Sequence, residues 1–161
     1  ASACAYALGV SNADIAAGLA NFGGVYARLE RKAGVRGAML IDDTYNANPD
    51  SMRAAIEVLA KQAGDKILVL GDMGELGADA AAMHFEIGAA AKAAGLNTLY
   101  CLGEMSQEMV KGFGAGARHF ATPEAIAEQT IPQLNANTTV LVKGSRFMRM
   151  ERVVKLLLAS G

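Results

Sequence analysis

Apolar residues follow two rhythms along this chain, and the rhythm changes at Gly23-Gly24. Before that pair, Ile15, Leu19 and Phe22 follow Ser11 at helical spacing, and Ser11 is a good N-cap. An Ala-rich stretch precedes Ser11 and stops at Gly9, so residues 1–22 read as helix, turn, helix. Beyond the pair, residues 25–31 alternate enough to be a strand, 34–37 are turn-like, and 38–41 form a short apolar run suited to a buried strand. Pro49 fits the first turn of a helix that Met52, Ile56 and Leu59 continue. Further strands fall at 67–70, 98–102, 118–120 and 139–142. Helices fall at 78–94 and 106–113, from Pro123 onward, and at 150–158.

Short apolar strands alternating with helices predict an α/β fold: a Rossmann-like, mostly parallel sheet with helices on both faces. Its first strands are candidates for an antiparallel pair. The helical segment 1–22 is set apart by the glycine pair, and a domain boundary is expected there, with the sheet domain in 23–161. Ligands of such sheets sit at the carboxyl ends of the strands. That rule singles out the loops at 42–48, 71–77, 103–104 and 143–146.

Composition narrows the function classes. The 161 residues are 52% apolar, enough for a sizeable core, and the formal charge of -1 gives no electrostatic case for nucleic acid. No apolar run reaches the roughly 20 residues of a membrane span, and the apolar opening segment lacks the basic leader of a signal peptide. Cys4 and Cys101 have neither CxxC spacing nor a nearby His pair, so no metal site is expected. Two reduced, partly buried thiols of a cytoplasmic protein are expected instead. The chain opens without Met inside a helical stretch, and it is expected to be a piece of a longer protein.

The loop at 42–48 is the densest in polar groups. Asp42 and Asp43 end an apolar strand, and Tyr45, Asn46, Asn48 and Asp50 follow closely. Carboxylates at a strand end can hold ribose hydroxyls, a magnesium-bound water or a substrate amine, and Asn suits a peptide backbone or carboxylate. Asp43 and Asn48 equally suit capping of the next helix. In the second loop, three glycines flank Asp72 and Glu75, but no Gly-Lys-Ser/Thr follows, so it is not a P-loop. Asp72 and Glu75 can assist binding, or the loop is a tight connection with Glu75 on the surface. His84, between Met83 and Phe85, reads as structural. Lys143, Ser145 and Arg146 surround a Gly-Ser turn at a strand end, which suits a phosphate or carboxylate, or simply solvent. Arg28, just past the linker, is either a surface cation or one that swings over transferring phosphate.

The run Asp42-Asp43-Thr44-Tyr45-Asn46-Ala47-Asn48-Pro49-Asp50-Ser51-Met52 resembles the signature of the Mur ligases, in the branch that adds D-alanyl-D-alanine to UDP-N-acetylmuramoyl-tripeptide. Three further stretches follow in the family's order: Leu70-Gly71-Asp72-Met73 with Glu75-Leu76-Gly77, His84 with Ile87-Gly88, and Val142-Lys143-Gly144-Ser145-Arg146. The resemblance covers essentially the whole chain. It implies that residues 1–22 end a central ATPase domain and that 23–161 are the C-terminal domain of a peptidoglycan-precursor ligase. It implies ATP and Mg2+ as cofactors, held mainly by the central domain, because no Gly-rich Lys-Ser/Thr loop occurs in the chain. This piece alone is therefore expected to be inactive.

Residue by residue, the resemblance implies that Arg28 approaches the ATP phosphates and that Asp43, or Asp42 if the register shifts by one, lies near the nucleotide ribose. Asn46 and Asn48 are expected near the incoming dipeptide, with Lys143, Ser145 and Arg146 facing the same cleft. The family usually has Gly before the Arg, where this chain has Ala27. If that position needs a positive φ, Ala is strained there. Two other readings remain open: another Mur or folylpolyglutamate-type amide ligase, and a non-catalytic Rossmann-type module that binds a nucleotide or peptide.

Overall fold

The central strands are apolar on both faces, and their alternation sorts side chains into two cores. A computed structural model describes residues 2–20 and 26–159. Among these, the strands are β1 (Glu30–Ala33), β2 (Met39–Asp43), β3 (Asp65–Gly71), β4 (Leu99–Leu102), β5 (Ala117–Phe120) and β6 (Thr138–Lys143). The helices are α1 (Ser2–Ala7), α2 (Asn12–Ala20), α3 (Pro49–Ala60), α4 (Ala80–Ala93), α5 (Ser106–Phe113), α6 (Pro123–Thr130) and α7 (Glu151–Leu157). One sheet runs in the order β1-β2-β6-β3-β4-β5, with β1 antiparallel to β2 and every other pair parallel. This is the expected α/β architecture, including the antiparallel start.

Ile41, Leu68, Leu70, Leu99, Cys101 and Leu141 face a core shared with α3, α4 and α5. Their strand neighbours Leu40, Ile67, Val69, Tyr100, Val140 and Val142 face the other core, against α6 and α7. The chain thus builds outward from β3 to β5 with its helices on one face, then returns on the opposite face to insert β6 between β2 and β3. Consequently the helices that follow β2 and β3 leave to one side and the helix that follows β6 leaves to the other. Such a switch opens a crevice at the carboxyl ends of these strands.

Local sequence explains the element ends. Asn48 caps α3 through a reciprocal pair: its Oδ1 accepts from the Ser51 N–H at 2.8 Å, and Ser51 Oγ accepts from the Asn48 N–H at 3.0 Å. Thr122 Oγ1 caps α6 by accepting from the Ala125 N–H at 3.1 Å. In the N-terminal helical segment, Gly9 turns the chain with φ 81, and Ser11 Oγ accepts from the Asp14 N–H at 3.1 Å. The expected linker Gly23-Gly24, with Phe22, lies outside the described residues. Among those residues, no helix is long and apolar enough to cross a membrane.

The first strand differs from expectation. Only Glu30–Ala33 is extended, because Ala27 and Leu29 take left-handed conformations with φ of 53 and 51. Residues 26–29 therefore coil toward the sheet end, although their apolar alternation mimics a strand. The second strand runs two residues past the apolar run, to Asp43, because β6 supplies a partner for each residue. Cys4 is exposed, whereas Cys101 is buried. Burial, joined by the Asp72 carboxylate, pushes the Cys101 thiol up, so it stays protonated in the core.

Helices α4 and α5 touch through two glycines. A Cβ added at Gly88 would overlap the Met109 carbonyl, and one at Gly112 would overlap the Phe85 carbonyl. Gly88→Ala is expected to force the helices apart and cost about 2 kcal/mol of stability. The measurement is the urea midpoint, which should fall with little change in slope. An unchanged midpoint would show that the two backbones do not meet this closely.

Candidate functional site

The crevice at the switch is split in two by the loop that follows β2. One cleft, of about 430 Å³, is lined by Arg28, Asp43, Tyr45, Asn46, Asn48 and Lys143, among others. A second, of about 650 Å³, is lined by Asn46, Ala47, Asn48, Gly74, Glu75, Leu76, Ser145, Arg146 and Phe147. Residues 46–48 form the shared wall. A smaller cleft of about 250 Å³ lies around Asp65 and Lys66, at the amino ends of the strands and away from these loops.

Strand alternation separates the two aspartates. Asp43 follows Ile41 onto the α3 face and stands directly across from Lys143 in the β2–β6 register. Lys143 Nζ donates to Asp43 Oδ2 at 2.7 Å and to the Asn46 carbonyl at 2.8 Å. The Leu29 N–H donates to the other Asp43 oxygen at 3.1 Å. The pair is buried, with side chains 12% and 4% exposed for Asp43 and Lys143. Asp42 points to the opposite face and does not line either cleft. Its Oδ1 accepts from the N–H and hydroxyl of Thr44, and its Oδ2 from Lys32 Nζ at 2.6 Å. Burial works against the charge on Lys32, but the hydrogen bonds to Asp42 and Glu30 outweigh it and hold its pKa above the ordinary lysine value.

Arg28 stands at the mouth of the first cleft with its guanidinium 4.4 Å from the centroid of the Tyr45 ring. The Tyr45 N–H donates to the Ala27 carbonyl at 3.0 Å, which ties the two loops together. Tyr45 was not singled out as a site residue by sequence; the signal available was an aromatic within the polar loop, with nothing local to link it to Arg28. Ala27 is fully buried at φ 53, so the position does demand the left-handed conformation. Its strain of about 1 kcal/mol is comparable to the roughly 0.8 kcal/mol gained by burying its methyl group. That balance explains how alanine is sustained there.

Other sequence candidates are engaged in building the loops. Asn48 is exposed on the shared wall, but its carbonyl-type oxygen is used by the α3 cap. Asn46 is also exposed, and its Oδ1 accepts from the Ala47 N–H at 2.9 Å. Ser145 is buried; its hydroxyl accepts from the Gly74 N–H at 2.8 Å and donates to the Ala47 carbonyl at 3.2 Å. Arg146 is open to the second cleft, 61% exposed, and stands 3.6 Å from Glu151. Glu151 is largely buried, but at that length and with an exposed guanidinium the pair contributes little. Asp72 proves to be a brace: its carboxylate accepts from the Met105 and Ser106 N–H groups at 3.2 and 2.7 Å, fixing the start of α5. Glu75 is exposed at φ 60 on the rim of the second cleft. His84 is fully buried and bonded to both sides. Among the described residues, no group of three or more His, Cys, Asp or Glu side chains is placed to hold a metal ion.

The sequence matches the family described as Mur ligase, glutamate ligase domain, over residues 27–146. It is 41% identical over 169 aligned positions to the UDP-N-acetylmuramoyl-tripeptide–D-alanyl-D-alanine ligase of Escherichia coli (strain K12), covering 100% of this chain and 36% of that protein. Among solved structures, MurF ligase from Thermotoga maritima in complex with ADP superposes with a TM-score of 0.80 at 28% identity, covering 96% of this chain and 35% of that one. A structure of MurF from Acinetobacter baumannii also gives 0.80, at 36% identity, covering 95% and 34%. The chain spans about a third of the length of these relatives.

Removing one partner of the Asp43–Lys143 pair strands a buried charge. Lys143→Met is expected to cost about 3 kcal/mol, and a further Asp43→Asn to restore a large part of it. Urea denaturation of the wild type, both single variants and the double variant measures the coupling. A double variant no more stable than Lys143→Met would show that the pair is not what holds these strand ends.

Proposed function

The chain belongs to the Mur ligase family, and from that premise we propose that it is the C-terminal domain of an ATP-dependent ligase joining D-alanyl-D-alanine to UDP-N-acetylmuramoyl-tripeptide. Residues 23–161 are that domain and residues 1–22 the helical end of the central one. The observation that carries the reading is the first cleft: Arg28, Asp43 and Lys143 converge at the switch of a parallel sheet, where a nucleotide is the expected occupant. The Thermotoga relative was solved in complex with ADP, which supports a nucleotide as a ligand of the whole enzyme. The enzyme acts in the bacterial cytoplasm, where the UDP-linked precursor is made.

In this ligase, ATP phosphorylates the carboxylate of the UDP-linked tripeptide, and the dipeptide amine then displaces phosphate from the acyl phosphate. Arg28, exposed and stacked on Tyr45, is free to turn toward the phosphates and offset their charge as it transfers. Each oxygen of Asp43 already accepts one donor and can accept a second, so the carboxylate can receive a ribose hydroxyl without losing Lys143. Asn46, Asn48 and Arg146 present donors on the dipeptide side, with Arg146 suited to a carboxylate. Lys143 and Ser145 fix the walls rather than reach for substrate. These residues include no Gly-rich Lys-Ser/Thr loop for the triphosphate and its Mg2+, so both would be held mainly by the central domain. Closure of this domain over that one aligns amine and acyl phosphate and keeps water from the latter.

The test is phosphate release by the full-length protein. Release is expected to require ATP, the UDP-tripeptide and D-alanyl-D-alanine together, and the 161-residue chain alone should release none. Arg28→Ala and Asp43→Ala in the full-length enzyme should each lower turnover by about tenfold or more. Release without the dipeptide, ligation by the isolated chain, or wild-type kinetics in Asp43→Ala would sink the assignment.

A further inference from the structure

His84 has no direct part in the ligase reading, yet it is completely buried and hydrogen-bonded on both ring nitrogens. Its Nδ1–H donates to the Ala80 carbonyl at 2.7 Å, which leaves Nε2 as an acceptor for the Met73 N–H at 3.0 Å. That places a helix side chain under the loop that follows β3. The next amide, that of Gly74, donates to Ser145 Oγ at 2.8 Å, and the same hydroxyl donates to the Ala47 carbonyl at 3.2 Å. The Ser145 N–H in turn donates to the Asp72 carbonyl at 3.0 Å. One connected set of hydrogen bonds thus runs from the interior of α4, through the loops that follow β3 and β6, to the wall between the two clefts.

We propose that His84 is a positioning residue for the second cleft, acting through Met73, Gly74 and Ser145 on the 46–48 wall. The inference rests on the reading of that cleft as the dipeptide side. Three features make His84 suited to the role. The Met73 amide is buried, so without an acceptor it would be stranded at a cost that moves the loop. The loop cannot relax freely, because a Cβ at Gly74 would press on Phe147 and one at Gly71 on Met150. Ser145 has no slack either, since its hydroxyl donates and accepts at once. A shift at Met73 is therefore passed to Gly74, Ser145 and Ala47, all close to the second cleft. The first cleft shares the 46–48 wall, but its nucleotide-side groups, Arg28 and Asp43, are held from the other direction, by the Tyr45 ring, the Leu29 N–H and Lys143. The nucleotide side should then be insensitive to His84.

The experiment is steady-state phosphate release by the full-length enzyme carrying His84→Leu, His84→Gln or Ser145→Ala, with the thermal midpoint of each recorded. His84→Leu fills the space but offers no acceptor. His84→Gln restores one at the place of Nε2. His84→Leu is expected to raise the KM for D-alanyl-D-alanine about tenfold while the KM for ATP stays within about twofold, and His84→Gln to recover most of the loss. A fall in kcat alone, which a loss of folded enzyme would give, or a parallel rise in both KM values, which would show no selectivity for the second cleft, overturns the proposal. Equal behaviour of His84→Leu and His84→Gln overturns it as well. Should His84→Leu fail to fold, Ser145→Ala decides: the same KM split supports the route through Ser145, and its absence refutes it. A wild type that releases phosphate without the dipeptide overturns the ligase reading and this proposal together, which separates that failure from a failure of His84 alone.

Discussion

At the carboxyl end of the sheet, the ammonium of Lys143 sits between the Asp43 carboxylate and the Asn46 carbonyl, and the surrounding loops take their places from it. Residues 43 and 143 meet because β6 inserts beside β2 in a register that sets them opposite one another. A buried ammonium needs acceptors for its protons. Asp43 supplies one and the loop backbone the other, so the chain after Thr44 is drawn down over the strand ends. That fixes the wall at 46–48, and the wall fixes where Asn48 caps α3. The desolvation of such a pair consumes much of its attraction. Its contribution is accordingly one of geometry more than of stability, and a hydrophobic substitute of equal volume would not pull the Asn46 carbonyl into place.

Much of the fold was legible because each central strand is short, apolar on both faces and bounded by turn residues. The parallel, two-faced sheet follows from that pattern alone. The strand order does not, because it depends on which strands meet after the chain reverses, and no local pattern encodes that. The first strand was misread for a backbone reason. Residues 26–29 alternate like a strand, yet Ala27 and Leu29 are left-handed; the resemblance pointed to this at Ala27, whereas nothing in the local sequence marks it at Leu29. Conversely, the antiparallel start agrees with expectation, and its physical reason is that the turn at 34–37 is too short to join any but adjacent, opposed strands.

The site was legible in its location and less so in its division of labour. The polar loops were found from the rule that ligands sit at strand ends. Whether Asp42 or Asp43 faces the cleft was decided by a single step of alternation, which the sequence could not anchor without knowing the strand's register. The same polar types that bind ligands also brace loops, and here both uses coexist within a few residues. Asn48 caps a helix from the cleft wall. Asp72 ties the loop after β3 to α5. Ser145 joins three loops with one hydroxyl. The Asn48 cap lies three residues from its partner and was open to a sequence reading, but the roles of Asp72 and Ser145 depend on partners 33 to 98 residues away, of which composition and spacing carried no trace. Tyr45 is the clearest case, since its value lies in a ring face that only the coiled 26–29 segment brings under Arg28.

These bracing roles also determine the charge that the crevice presents. Asp43 is offset by Lys143 and Asp42 by Lys32, so the two adjacent carboxylates at the strand end add little negative field. Among the described residues, Arg28 has no carboxylate partner and stands at the mouth of the first cleft. In the second cleft, Arg146 and Glu75 balance formally but stand on separate loops. A chain with net charge -1 therefore shows a cationic first cleft, fit for a phosphate-bearing ligand, and a dipolar second one, fit for a zwitterion. Overall charge was informative about nucleic acid because that surface is extended. It is uninformative about a small anion, for which one uncompensated guanidinium on a braced loop is enough.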